Sequence, residues 1–110
     1  MARSIDYDRT VTFIGAVTSS AVDLGFDALL GLFVPDDMAG TLLTFSVCDT
    51  DDGTYFSIRN DENGAVSLVI SDTGAYYPLD PASFVGVRHM KIVSNAAETA
   101  VIKLATRHVG

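Results

Sequence analysis

Between Leu42 and Ser71, three stretches of alternating apolar and polar residues are separated by two turns in which glycine follows Asp or Asn. Leu43, Phe45 and Val47 alternate with Thr44, Ser46 and Cys48. Asp51-Asp52-Gly53 then precedes Tyr55 to Arg59, and Asp61-Glu62-Asn63-Gly64 precedes Val66, Leu68 and Ile70. A period of two puts one set of side chains on one face of a sheet, and glycine after Asp or Asn supplies the positive φ of a tight hairpin. The pattern predicts a β-meander, so this part of the chain is sheet rather than helix.

The flanking segments read the same way. Thr10 to Ile14 predicts a strand with Val11 and Phe13 on one face, followed by a loop of small residues from Gly15 to Ser20 and a short strand from Ala21 to Leu24. Phe26 to Val34 fits a helical turn or a buried strand, and Gly25, Gly31 and Pro35 tip it toward strand. Tyr76-Tyr77-Pro78-Leu79-Asp80-Pro81 is too rich in proline for a central strand, and Pro81 to Phe84 predicts one helical turn. Val87 to Ser94 resumes the alternation with Met90 and Ile92 on one face and Arg88 in line with them, Asp80 being its expected partner unless a sheet edge leaves it in water. Ala96-Ala97-Glu98 reads as a loop. Ala100 to Arg107 follows as a strand with Ile102 and Leu104 inward and Lys103 and Arg107 outward. About eight short strands with frequent turns predict an all-β, single-domain antiparallel β-sandwich or jelly roll. The domain spans 10–110, and residues 1–9 form a short N-terminal arm.

With 110 residues, the chain is long enough to bury one core without staples. Its one cysteine, Cys48, excludes an internal disulfide and fits a reducing cytoplasm. Neither a secretory leader nor an apolar run near membrane-spanning length is expected. A net charge of −7 repels phosphate backbones and anionic lipids, which argues against nucleic acid and membrane partners. With 48% hydrophobic and only 19% charged residues, either some apolar surface faces another protein or the core is unusually well filled.

No residue pattern carries catalysis. Asp49, Asp51 and Asp52 share one turn and Asp61 and Glu62 the next, without the alternate-residue oxygens and distant bidentate Glu of a calcium loop. His89 and His108, with Cys48, are too few for a zinc site, and no Gly-x-Ser-x-Gly or phosphate loop is present. The expectation is therefore no catalytic residue, no metal and no cofactor. Two contact sets remain: Ile5, Tyr7 and Arg9 in the arm, and an aromatic face of Tyr55, Tyr76 and Tyr77 that fits interface packing or sugar stacking.

The order Leu43-x-Phe45, Asp52-Gly53-x-Tyr55-Phe56, Val66-x-Leu68 and Tyr77-x-Leu79-Asp80-Pro81-x-x-Phe84-x-Gly86-Val87-Arg88-x-x-Lys91-Ile92-x-Ser94 resembles small structural proteins of tailed bacteriophages and phage-like gene transfer agents. Ser19 to Gly25 and Leu32-x-Val34-Pro35 fit the same pattern, whereas His89 stands where a larger aromatic residue is expected. The resemblance implies a non-enzymatic capsid decoration or cement protein, made in the host cytoplasm and located on the virion head exterior. The implied partner is the major capsid protein or another virion protein, and the implied state is a homo-oligomer with a trimer as first expectation. A carbohydrate-binding adhesion module and a tail or head-to-tail connector component are the alternatives.

Overall fold

Every second residue from Met90 to Leu104 faces inward, and this one period organises the molecule. A computed structural model describes residues 5–25, 27–49, 53–59, 66–80, 84 and 87–107. Among them, strands β1 (Ile5–Asp6), β2 (Thr10–Thr18), β3 (Val22–Asp23), β4 (Ala28–Val34), β5 (Leu42–Cys48), β6 (Phe56–Ser57), β7 (Ser67–Val69), β8 (Ala75–Pro78) and β9 (His89–Arg107) form one curled antiparallel sheet, with no α-helix. The expected all-β antiparallel class is what forms.

β9 is the shared strand. β1, β2 and β3 follow one another along one of its edges, with Ile5 opposite Arg107, Val11 opposite Ile102 and Val22 opposite Met90. Along the other edge β4 pairs with the Lys103–Arg107 end and β5 with the His89–Ser94 end. β8 extends the sheet beyond β4, while β6 and β7 extend it beyond β5. Two wings result, joined through β9.

The inward residues of both wings build one core. Val11, Phe13, Leu29, Leu32, Leu43, Phe45, Met90, Ile92, Ile102 and Leu104 are all buried in it, and Phe84 meets Phe45 edge to face at 5.1 Å. Each such side chain contributes about 1.5–3 kcal/mol by leaving water.

Several expectations are corrected. β9 does not break at Ala96-Ala97-Glu98 but runs through it as one 19-residue strand. β2 continues past Ile14 to Thr18, where a loop was expected. Gly15, at φ 59°, sits at a register shift there and donates its N–H to Thr99 Oγ1. The meander is also rearranged. β6 hairpins onto β5 as expected, but β7 pairs with β5 as well, so β6 and β7 are two pieces of one interrupted edge strand. Between the two pieces, Val66 N–H donates to Ile58 O at 3.0 Å. The turn Asp61-Glu62-Asn63-Gly64, Asp51-Asp52 and the Pro81–Ser83 part of the expected helical turn lie outside the described residues. Of the segment Phe26 to Val34, Ala28–Val34 is a strand and Phe26 lies outside the described residues.

Residues 5–9 of the expected arm are bonded into the sheet. β1 pairs with β9, and Arg9 O accepts from Leu104 N–H at 2.9 Å. Arg88 pairs with Asp23 rather than Asp80, at 3.4 Å, with both side chains more than half exposed.

Candidate functional site

Alternation on β4 sends Leu32 and Val34 into the core and leaves Phe33 on the outer face, in register with Lys103 of β9 and Tyr76 of β8. Tyr7 meets the Phe33 ring nearly edge-on at 5.8 Å, and Tyr76 lies tilted against it at 4.6 Å. All three rings stay substantially exposed. Partial burial, with Tyr7 nearby, raises the Tyr76 pKa above its ordinary value of 10.0, so its hydroxyl stays neutral.

Further along the same face the side chains are aliphatic. Ile14 is 80% exposed and Val101 50%. Together with Thr12, Thr99, Pro35 and Asp37 they line an open groove of about 470 Å³. The groove lies beside the stretch of β9 where neither β4 nor β5 is paired and the β4–β5 connection runs instead.

That connection is held by side chains of β9. Glu98 is only 2% exposed. Its Oε1 accepts the Ala39 N–H at 2.8 Å, and its Oε2 accepts the Gly40 N–H at 2.7 Å and the Ser94 hydroxyl at 2.8 Å. Burial pushes the Glu98 carboxyl up, the three donors pull it down, and the balance lies below its ordinary value of 4.5. Asn95 Oδ1 accepts the Thr41 N–H at 2.9 Å. A Cβ on Gly40 would collide with the Ser94 hydroxyl and lie 2.8 Å from Glu98 Oε2, so glycine is required by the close approach. Sequence reasoning missed Glu98 by assigning it to a loop. The available signal was its parity, in phase with Met90, Ile92, Ile102 and Leu104.

The expected contact residues separate. Tyr7 joins the aromatic stack, and Ile5 is exposed on β1. Arg9 turns inward, donating to Asp23 O at 2.8 Å and to Asp27 Oδ2 at 2.6 Å. Tyr55, Tyr76 and Tyr77 do not share a face. Tyr55 lies under the Lys91 ammonium at 4.4 Å, on the β5 side of the sheet. Tyr77, one residue from Tyr76, points to the opposite side and packs against the core. Its hydroxyl accepts the Asp72 N–H at 2.8 Å and donates to Asp72 O at 2.7 Å. Bonding to Ser71 first, then to Asp72, lowers its pKa from 10.0.

Asp23, His89 and Cys48 stand in one row across β3, β9 and β5. The row is not wired as a nucleophilic triad. The Cys48 thiol is directed at Asp49 Oδ1 at 3.7 Å. The Asp23 carboxylate accepts from the Gly25 N–H and Arg88, and the Gly25 bond is the main reason its pKa falls below 3.8. Among the described residues no three His, Cys, Asp or Glu side chains converge as metal ligands. His108 lies outside the described residues. No family model, no curated protein and no solved structure matches this chain.

Proposed function

We propose that this chain is a non-enzymatic structural protein of a virion, a capsid decoration or cement protein that sits on the outer head surface and works as an assembly of copies. One observation carries the proposal: exposed large apolar side chains concentrate on one wing. Ile5, Tyr7, Ile14, Val17, Phe33, Tyr76 and Val101 belong to β1, β2, β4, β8, the C-terminal half of β9 and the Tyr7 link, against only Phe56 and Val69 on the other wing, among the described residues. A face that gathers exposed apolar side chains around aromatic anchors has the composition of a protein–protein contact. The acidic balance of the chain keeps such a subunit away from the packaged nucleic acid. Within this reading the fold is a jelly roll or sandwich, an assignment with which the all-β curled antiparallel sheet is compatible.

Electron cryomicroscopy of particles from the host that carries this gene tests it. Density for a domain of this size on the head lattice supports the role; density confined to the tail moves the chain to a connector role, and bare particles reject both.

The Tyr7–Phe33–Tyr76 stack also supports a second reading, a carbohydrate-binding module, since sugars stack on exposed rings. The ring planes meet at 70° and 51° rather than forming one flat platform, which favours protein contact. A glycan array on which binding is lost with Tyr76→Ala would reverse that preference, and a blank array would end the glycan reading.

A further inference from the structure

We infer that the outer face of the β2–β9–β4–β8 wing is covered by a second copy of this chain, in a face-to-face two-fold pair. The inference rests on the assembly reading above and specifies what occupies its apolar face.

Along β9 the outward residues are Thr99, Val101 and Lys103, in that order. The aromatic stack stands beside Lys103, through the Phe33–Lys103 register. The groove, with Ile14, Pro35 and Asp37, stands beside Thr99 and Val101. The face thus has one end with exposed aromatic rings and one end with an open groove, which begins at Val101.

The charges are arranged likewise. Lys103 lies at the aromatic end and Asp37 at the groove end, and both are exposed. Among the described residues the ion pairs are Arg9–Asp27 and Arg88–Asp23, and neither Lys103 nor Asp37 takes part in one.

A two-fold axis lying in the contact plane and crossing the strands at Val101 turns one copy end for end over the other. Val101 then meets its own symmetry mate, and each aromatic stack enters the groove of the other copy. Lys103 of each copy comes to the Asp37 end of its mate. Such an isologous contact needs one patch that complements itself in shape and charge, and this face has both properties. A cationic partner would meet Lys103 as a like charge, and an acidic partner would meet Asp37. Only a partner with both signs in this order satisfies the two, and a second copy has that order. A standard interface takes about 800 Å² from each partner. That is a small part of the 6305 Å² this chain exposes and is within reach of one wing.

Sedimentation equilibrium on the purified chain, from low micromolar upward, tests the pair directly. The expected mass is twice 11.7 kDa. Val101→Asp should abolish association while circular dichroism and thermal unfolding confirm the fold. Lys103→Glu and Asp37→Lys should each weaken association by about tenfold or more, since each creates two like-charge contacts. Mixing the two variants should restore it, because the heterodimer regains opposite charges at both positions. A monomer throughout, an oligomer unaffected by Val101→Asp, or a mixture that stays dissociated would overturn the pairing. The assembly role fails separately: a dimer that leaves shells undecorated rejects decoration alone, and a monomer that decorates them rejects the pair alone.

Discussion

The two wings share one strand and one core but are built differently. The wing around the C-terminal half of β9 has long partners, the nine residues of β2 and the seven of β4, and its outer face is apolar. The wing around the N-terminal half has one seven-residue partner, β5, whose own edge neighbours β6 and β7 are two and three residues long. Its outer surface carries Lys91 over Tyr55 and polar Thr44 and Ser46. Surface apolarity therefore goes with long partner strands and not with ladder regularity, since the register shifts lie in the β2–β9 and β4–β9 ladders and the β5–β9 ladder has none. The wing with the long partners carries most of the exposed large apolar side chains among the described residues, while the other wing has only short edge strands.

The core spans both wings, so the difference should not survive a test of cooperativity. Phe45→Ala on one wing and Ile102→Ala on the other should cost about 3–5 and 2–5 kcal/mol respectively. Both variants should still unfold in a single transition in calorimetry. Two separated transitions would break the shared-core picture.

Next in size is the junction between the wings. Glu98→Ala strands two backbone N–H groups in a buried site and should cost about 2–3 kcal/mol. Hydrogen exchange at Ala39 and Gly40 should accelerate, while exchange in β2 stays slow. The same carboxylate sets an acid limit. Its folded pKa lies below its ordinary value of 4.5, so its stabilisation is present above that pH and is lost as pH falls through the folded value. Glu98→Gln should flatten this part of the acid unfolding curve, measured by fluorescence against pH, and an unchanged slope would remove Glu98 from the acid response.

A smaller effect is expected where Arg9 ties residues 5–9 to the β3–β4 connection. The Arg9–Asp27 pair at 2.6 Å is only partly exposed, and Arg9→Ala should cost about 1–2 kcal/mol in urea unfolding. The Arg88–Asp23 pair is much more open, and Arg88→Ala should change stability by less than about 0.5 kcal/mol. Equal costs for the two arginines would remove the distinction between the better-bonded and the more solvated wing.

Much of the fold was legible in the sequence because period two survives wherever one face is buried. Val11 and Phe13, Leu43 and Phe45, and Met90 and Ile92 were each grouped on one face by their alternation, Ile102 and Leu104 were assigned inward, and all are buried. What failed was the interpretation of polar and small residues inside strands. Asn95 to Glu98 resembles a turn by composition. Its polar groups serve the backbone of the neighbouring connection, a long-range partner that local pattern does not reveal. Gly15 likewise resembles a stop, yet it marks a bulge in a continuing strand. The partner of β7 was misassigned because turn chemistry predicts a hairpin only between neighbours in sequence. Tyr7 and Tyr76 were singled out in separate sets, but not their link through Phe33, since that ring contact depends on β4 lying between β8 and β9.

The position of β9 in the chain also governs when the protein can fold. Five other strands pair directly with it, including β1, whose Ile5 waits for Arg107. During synthesis the first eight strands therefore emerge before their central partner: β5 can pair with β6 and β7, and β4 with β8, but the β5 wing gains β9 only once residue 94 is made and the other wing only at residue 107. Such distant pairings are slow to form, because loop closure precedes the contacts that reward it. The apolar strand Ala28–Val34 has no partner until β8 is made and completes its pairing only with β9, an interval in which an unpaired apolar strand is exposed to aggregation.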